Sequence, residues 1–297
     1  MSAMEIAKAL HGHRSGQWWR CRCPVHQGRS ASLALRDGDG RLLVKCWAGC
    51  DASDVLVELA RLGLSEGLSA LSALSARHSM EGVAHQRRTA NALDLYFNQS
   101  RAAAGTFVER YLSGRGIELA IPNKIRASSG WLHHRESGER RPAMLALVEH
   151  AEHGAVAVHC TFLAMDGSSK ATIEPNRKFF GPVKGGAVRL GSPVQDDQWL
   201  VVGEGIESTA SAMQLWGAPS GWAALSANGL RNLVLPPEAQ RIVIACDNDE
   251  NGVGQAAARD AAWIWMEAER TVRVMLPPQP VPPQSKTDFN DVLTGAC

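Results

Sequence analysis

The sequence predicts an α/β protein in three parts, with a parallel sheet in its C-terminal third. Between residues 198 and 276, apolar strand-like runs alternate with helix-like stretches, a pattern typical of a parallel sheet covered on both faces. Residues 92–195 carry short alternating apolar runs separated by glycine turns, which indicate a small α+β unit. Four of the seven cysteines crowd between residues 21 and 50, which predicts a separate N-terminal unit.

A chain of 297 residues is long enough for two or three cores. The stretch between the cysteine-rich unit and the middle unit is rich in serine, alanine and glycine and has a poor apolar face, so it is a linker or a weak helix. The predicted boundaries are 1–64 for the cysteine-rich domain, 65–91 for the linker, 92–195 for the middle subdomain and 196–297 for the C-terminal domain.

The net charge of +1 hides a strong asymmetry along the chain. Residues 1–95 carry +3, residues 96–195 carry +5, and residues 196–297 carry −7. A basic N-terminal part and an acidic C-terminal part suit a protein that binds a polyanion with the first and cations with the second. Chance unevenness of the surface charge is the alternative. No stretch approaches the ~20 apolar residues of a membrane-spanning helix, and no signal peptide is present, so a cytoplasmic protein is expected.

Two close pairs of potential metal ligands lie in the N-terminal unit. Cys23 and His26 enclose two residues, Cys46 and Cys50 enclose three, and the spacer between the pairs predicts a β-hairpin. Such pairs converge on a tetrahedral Zn²⁺, which is structural because the protein fills all four positions. The C-R-C order leaves open whether Cys21 or Cys23 is the ligand. Thiols without a metal are the alternative.

Arginine and lysine side chains are interleaved with Trp18, Trp19 and Trp47 in this unit. The pattern suits single-stranded nucleic acid, whose phosphates are neutralised by basic groups and whose bases stack on aromatic rings. Core packing of the tryptophans is the alternative.

Acidic residues follow two strands of the predicted parallel sheet. Glu204 comes directly after WLVVG, and Asp247 and Asp249 come after RIVIAC. Because the carboxyl ends of parallel strands line one crevice, we expect these side chains to meet there, where they would repel unless a cation lay among them. Hard oxygen ligands favour Mg²⁺ or Mn²⁺, which neutralise charge on phosphoryl groups. Asp288 would add a ligand, or cap a helix with Asp291 in its first turn.

A glycine-containing stretch of the middle segment carries basic residues that would contact the phosphates of a nucleic acid. The predicted nucleic-acid-binding residues are Lys170, Arg177, Lys178, Lys184 and Arg189. Each of them would otherwise be a solvated surface charge.

The strings V-V-G-E-G-I-E, I-A-C-D-N-D-E-N-G and D-F-N-D resemble the Toprim domain shared by bacterial and phage primases, topoisomerases and some nucleases. C-P-V-H with C-W-A-G-C resembles the zinc-binding domain that precedes the catalytic core of such primases. The middle segment resembles the subdomain placed before Toprim in phage, plasmid and mobile-element primases. The resemblance implies a Toprim parallel-sheet domain preceded by a small α+β subdomain and an N-terminal zinc ribbon.

This resemblance implies a DNA primase, a nucleotidyltransferase that makes short RNA primers. Its partners would be a single-stranded DNA template, NTPs, and a separate replicative helicase or polymerase. Glu204, Asp247 and Asp249 would be the catalytic, metal-holding acids. In the family pattern another acid follows the glutamate by four residues, whereas here Glu207 comes after three and Ser208 holds the expected place, which leaves the metal set open.

Two other functions remain compatible with the sequence. A Toprim nuclease would use the same acids to cleave, and a non-catalytic accessory protein would bind single-stranded DNA on the same scaffold. A topoisomerase is disfavoured, because it needs a catalytic tyrosine and the chain has only Tyr96 and Tyr111.

Overall fold

The computed structural model describes residues 1–25, 31–38, 41–47, 50–64, 68–120, 122–250, 252–277 and 286–295, with backbone alone at 41 and 68–81. The chain forms two compact units, Met1–Ala84 and His85–Cys297. Among the described residues, every helix is too short or too polar to cross a bilayer.

The N-terminal unit is a four-stranded antiparallel sheet with one helix before it and one after it. Its elements are α1 (Ala3–Ala9), β1 (His13–Ser15), β2 (Trp18–Cys21), β3 (Leu33–Gly38), β4 (Arg41–Cys46) and α2 (Ala52–Arg61). The predicted hairpin is formed by β3 and β4, which pair from Leu33↔Cys46 to Gly38↔Arg41.

The core of this unit is small. Ile6 of α1, Leu33 and Leu35 of β3, and Leu59 of α2 are buried together with Cys21. A unit of this size buries a smaller fraction of its surface than a larger domain does, so its apolar core alone gives marginal stability. A bound metal would supply the missing free energy.

The helices of the remaining chain are α3 (Leu68–Asn98), α4 (Phe107–Gly114), α5 (Ile206–Trp216), α6 (Ala227–Asn232), α7 (Val253–Glu267) and α8 (Phe289–Thr294). Its strands are β5 (Ser100–Ala102), β6 (Ile125–Ser128), β7 (Leu132–His133), β8 (Arg140–Arg141), β9 (Ala143–His150), β10 (Gly154–Phe162), β11 (Arg177–Phe180), β12 (Gly186–Gly191), β13 (Trp199–Gly203), β14 (Ser220–Ala223), β15 (Arg241–Ala245), β16 (Asn248–Asp249), β17 (Thr271–Met275) and β18 (Lys286–Thr287).

One mixed sheet runs through the second unit in the order β11-β10-β9-β12-β14-β13-β15-β17, with β6 also beside β9 and β5 beside β6. The four strands β14, β13, β15 and β17 are parallel to one another. Strand β12 pairs antiparallel with both β14 and β9 and so joins this parallel part to the antiparallel part. The middle and C-terminal segments of the sequence therefore share a single sheet.

The three inner parallel strands β14, β13 and β15 are buried on both faces, as their apolar runs predict, whereas the edge strand β17 is largely exposed. Val201 and Val243 face a core that contains Met213 of α5. The alternate residues, such as Leu200 and Ile242, face a second core that α7 covers. Because side chains alternate along a strand, α5 and α7 lie on opposite faces of the sheet and leave its carboxyl edge open.

The predicted fold class is confirmed: a C-terminal parallel sheet follows an α+β segment and an N-terminal ribbon with clustered cysteines. The stretch predicted as a linker or weak helix lies largely in α3. The boundaries at 64, 91 and 195 stay predictions, the last of them falling in the connection between β12 and β13.

Candidate functional site

Three cysteine sulfurs come together at one end of the ribbon. The Sγ atoms of Cys23, Cys46 and Cys50 lie within 4.8 Å of one another. Cys23 follows β2, Cys46 ends β4, and Cys50 comes just before α2, so three separate elements hold the group. Cys21 points into the core, where burial, followed by the neighbouring Cys23, raises its pKa to about 11. The sulfur group therefore includes Cys23 and not Cys21.

This donor set fits Zn²⁺. Soft thiolate ligands at tetrahedral spacing are what structural zinc requires, and three of its four ligands are present in the group. The fourth predicted ligand, His26, lies outside the described residues. The zinc site remains a prediction in which Cys23, Cys46 and Cys50 would hold the ion and His26 would complete it.

An exposed aromatic surface lies on the same unit. Trp47 is 61% exposed, and the Lys45 Nζ lies 4.0 Å and the Arg20 guanidinium 5.3 Å from its ring centre. Arg36 lies 4.9 Å from the ring centre of Trp18 in the same manner. Such cation–aromatic pairs offer both a stacking plane and positive charge to a single strand.

The acid cluster, defined as Glu204, Asp247 and Asp249, lies at the carboxyl edge of the parallel sheet. Gly203 and Ala245 are paired across β13 and β15, so Glu204 and the D-N-D segment leave the sheet side by side. Asp249 then pairs with Lys286 in the short β16–β18 ladder.

Two of these carboxylates face one point beside the first turn of α7. A Cβ added at Gly254 would lie 2.9 Å from Glu204 Oε1 and 3.1 Å from Asp249 Oδ1. Asp249 Oδ1 is buried and has no hydrogen-bond partner among the described residues. A buried carboxylate oxygen without a donor, facing a second carboxylate, fits a hard divalent cation such as Mg²⁺ or Mn²⁺.

Asp247 is held by protein groups on both of its oxygens. The Ser208 hydroxyl donates to Oδ1 over 3.0 Å, and Lys286 Nζ lies 2.6 Å from Oδ2. Burial, followed by the charges of Asp247 and Asp249, raises the pKa of Glu204. The cluster is thus short of positive charge even with Lys286 present.

Among the described residues, two groups bring three potential metal-ligand atoms within 4.8 Å of one another. One is the cysteine group, and the other consists of His150, Glu152 and His153. At least one pair in the acid cluster is therefore farther apart than that. His150 Nδ1 accepts the Glu152 N–H over 3.2 Å, and its Nε2 packs against Gly185, where an added Cβ would lie 2.6 Å away. His150, Glu152 and His153 are brought together by the turn between β9 and β10, in which these contacts hold the His150 ring.

Changing Gly254 to alanine tests the position of the cation. The methyl group would crowd Glu204 Oε1 and Asp249 Oδ1, so we expect Mn²⁺ affinity to fall roughly tenfold. Helix α7 should not lose stability, because alanine is the better helix former by about 1 kcal/mol. Electron paramagnetic resonance titration measures the Mn²⁺ affinity, and thermal melting measures the stability.

Gly82→Ala in α3, where a Cβ has open space, is the control. Equal Mn²⁺ affinity in Gly254→Ala would exclude this position.

Asp288 is the N-cap of α8. Its Oδ1 accepts the backbone N–H groups of Asn290 and Asp291, while the Asp291 carboxylate accepts the N–H of Asp288. Burial, followed by the charge of Asp247, raises the pKa of Asp288. The helix-cap alternative is therefore formed, and a metal-ligand role for Asp288 stays a prediction.

A cavity of about 400 Å³ adjoins the acid cluster. Glu204, Asp247 and Asp288 line it. The same cavity is lined by three basic side chains, Arg115, Lys170 and Arg177, which we call the basic group. His159, Phe179, Glu207, Ser208 and Lys286 also line it. Acids and bases that lie far apart in the sequence thus meet at one opening.

The structure places the five predicted phosphate-binding residues differently. Lys170 and Arg177 line the cavity. Lys178 forms an ion pair with Glu136, and Arg189 lies over the Trp222 ring at 4.5 Å. Lys184 is exposed. Lys178, Arg189 and Lys184 do not line the cavity, so contacts of these three residues with nucleic acid stay predictions.

Glu207 and Ser208 explain the departure from the family pattern. Ser208, at the place of the expected acid, donates its hydroxyl to Asp247. Glu207 accepts hydrogen bonds from the Tyr111 hydroxyl and from Lys170 and so belongs to the basic side of the cavity. The sequence alone shows that the second acid stands at an altered spacing. The partners of Glu207 lie too far away along the chain to be found from the sequence.

His159 makes the stability of this region pH-dependent. Burial, opposed by Glu207 and assisted by Arg177 and Lys170, lowers its pKa to about 4. Because this folded-state value lies below the ordinary 6.5, its contribution is complete above pH 6.5 and is lost as the pH falls toward 4. We expect the free energy of unfolding to fall by about 1 kcal/mol more in the wild type than in His159→Gln between pH 7.5 and 5.5. Equal losses in urea titrations would contradict this.

Comparison with known proteins gives two family matches. Residues 86–190 match a domain of unknown function, DUF7146, and residues 199–296 match the Toprim domain. No curated protein sequence matches the chain.

Three solved structures illustrate what the chain is similar to. The Aquifex aeolicus primase, with its zinc binding and RNA polymerase domains, is 14% identical, with 99% of this chain and 80% of that chain covered and a TM-score of 0.44. The primase fragment of the bacteriophage T7 primase-helicase protein is 16% identical, with 63% and 65% covered and a TM-score of 0.38. The E. coli primase catalytic core is 15% identical, with 75% and 69% covered and a TM-score of 0.33.

Proposed function

We propose that the chain, whose residues 199–296 match the Toprim domain, is a DNA primase that synthesises short RNA primers on single-stranded DNA. The 3′-hydroxyl of one nucleotide would attack the α-phosphate of the next, forming a phosphodiester bond and releasing pyrophosphate.

The observation that carries the proposal is a single cavity lined both by Glu204 and Asp247 of the acid cluster and by the basic group. A nucleoside triphosphate with its divalent cation needs both, since the cation requires carboxylates and the phosphate oxygens require positive charge. A site for a neutral substrate would need neither.

The cavity and the acid cluster that it adjoins have separate roles in this reaction. Glu204 and Asp249, with Asp247 beside them, would hold a divalent cation, which when bound neutralises the charge that develops on the phosphoryl group. Lys170 and Arg177 would bind and orient the phosphates. Phe179, which is 46% exposed at the cavity, would offer a stacking surface to a base.

The N-terminal unit would contact the template. Trp47, with Lys45 and Arg20 over its ring, provides the stacking plane and the charge that single-stranded DNA requires. The zinc would join Cys23, which follows β2, to Cys46 at the end of β4, the residue before Trp47.

The test is primer synthesis by the full chain with Zn²⁺ bound. Single-stranded templates, labelled NTPs and Mg²⁺ or Mn²⁺ should yield short oligoribonucleotides with the wild type and the exposed control Glu118→Gln, but not with Glu204→Gln. Absence of product over a broad set of templates would contradict priming.

The same reactions separate the two alternatives. Shortening of labelled DNA without NTPs, lost in Glu204→Gln, would indicate a Toprim nuclease. Binding of single-stranded DNA without any product, unchanged in Glu204→Gln, would indicate an accessory protein.

A further inference from the structure

Glu207 is a buried, charged carboxylate that holds no place in the acid cluster. It is 6% exposed in the first turn of α5. Burial by itself would raise its pKa, but the Lys170 ammonium and the Tyr111 hydroxyl lower it to about 2. The Lys170 ammonium and the Tyr111 hydroxyl thus favour the ionised form of this carboxylate.

Its two partners come from distant parts of the chain and meet on one oxygen. The Tyr111 hydroxyl of α4 donates to Oε1, and Lys170 Nζ lies 2.9 Å from the same atom. The backbone of Lys170 is fixed by a bridge to Leu163 after β10. The Lys170 side chain is thus held at both ends, at its backbone by the bridge and at its ammonium by Glu207.

Lys170 nevertheless stays available to a ligand. Its side chain is 27% exposed and lines the cavity beside Arg115 and Arg177. An ammonium has three N–H donors, so one ion pair does not exhaust it. A flexible four-carbon side chain loses less entropy on binding a phosphate if it is already held in place.

We propose that Glu207 is a positioning residue, which holds the Lys170 ammonium at the cavity so that it binds the phosphate oxygens of a nucleoside triphosphate. The inference rests on the proposed function and names a residue through which its substrate is recognised. In this role Glu207 acts on the substrate through Lys170.

A positioning role of Glu207 and a purely electrostatic effect of its charge predict opposite changes in triphosphate binding. Glu207→Gln removes a negative charge beside an anion site, so charge alone would make a triphosphate bind more tightly. If Glu207 positions Lys170, the same change releases the ammonium and binding weakens. The sign of the change therefore decides between the two.

The experiment measures binding of α,β-methylene-ATP with Mg²⁺ to the full, zinc-bound chain by calorimetry. We expect roughly tenfold weaker binding in Glu207→Gln, a loss of similar size in Lys170→Met, and no further loss in the double variant. Glu207→Asp keeps the charge but withdraws it by one methylene group, and it should also weaken binding. Glu118→Gln is the exposed control and should bind as the wild type does.

Mn²⁺ affinity at the acid cluster shows whether each variant is folded, since Glu207 is not part of that cluster. Unchanged or tighter triphosphate binding in Glu207→Gln, or in Glu207→Asp if the first variant fails to fold, would overturn the inference alone. Absence of triphosphate binding by the wild type would overturn the proposed function as well.

Discussion

Asp249→Asn should abolish primer synthesis while leaving the protein folded. The buried Oδ1 of Asp249 has no hydrogen-bond partner among the described residues and faces Glu204 across the position beside Gly254. Replacing the carboxylate removes a ligand of the cation and with it several kcal/mol of charge stabilisation. We expect product formation to fall by roughly three orders of magnitude.

The readouts are the rate of oligoribonucleotide synthesis, Mn²⁺ affinity and melting temperature. The melting temperature should be unchanged or higher, because one of several mutually repelling charges is removed. Asp196→Asn, at an exposed position, is the matched control and should keep full activity. Substantial activity in Asp249→Asn would show that this carboxylate holds no catalytic cation.

Cys46→Ala should unfold the N-terminal unit. The small core of this unit gives it little stability, whereas structural zinc in such units contributes about 10–16 kcal/mol. We expect zinc content to fall from one ion per chain to none, and limited proteolysis to cut within residues 1–64. Primer initiation should be lost together with template binding.

Cys21→Ala distinguishes the two neighbouring cysteines. Cys21 lies in the apolar core and outside the sulfur group, so this variant should keep its zinc at a small cost in stability. Loss of zinc in Cys21→Ala, or its retention in Cys46→Ala, would contradict the ligand set of Cys23, Cys46, Cys50 and His26.

The parallel half of the fold follows from local patterns in the sequence. The apolar runs of β13 and β15 are buried on both faces, and each is followed by a helix, which leaves little freedom in how they pair. Because Glu204 and Asp247 come directly after these strands, their shared edge was predictable from the same argument.

The partners of the basic residues were not predictable in the same way. Lys178 pairs with Glu136 across 42 positions, and Glu207 meets Tyr111 across 96. Such contacts depend on how β10, β11, α4 and α5 pack, and no local periodicity encodes that packing. For the same reason only Lys170 and Arg177 of the five predicted residues line the cavity, whereas Arg115 was missed.

The most direct test of the cation site is a crystal of the protein soaked in millimolar MnCl₂ and measured at the manganese absorption edge. We expect an anomalous peak within coordination distance of Glu204 Oε1 and Asp249 Oδ1, next to Gly254. An acid cluster without such a peak, with both carboxylates ordered and turned away from each other, would contradict the metal-dependent chemistry proposed for this chain.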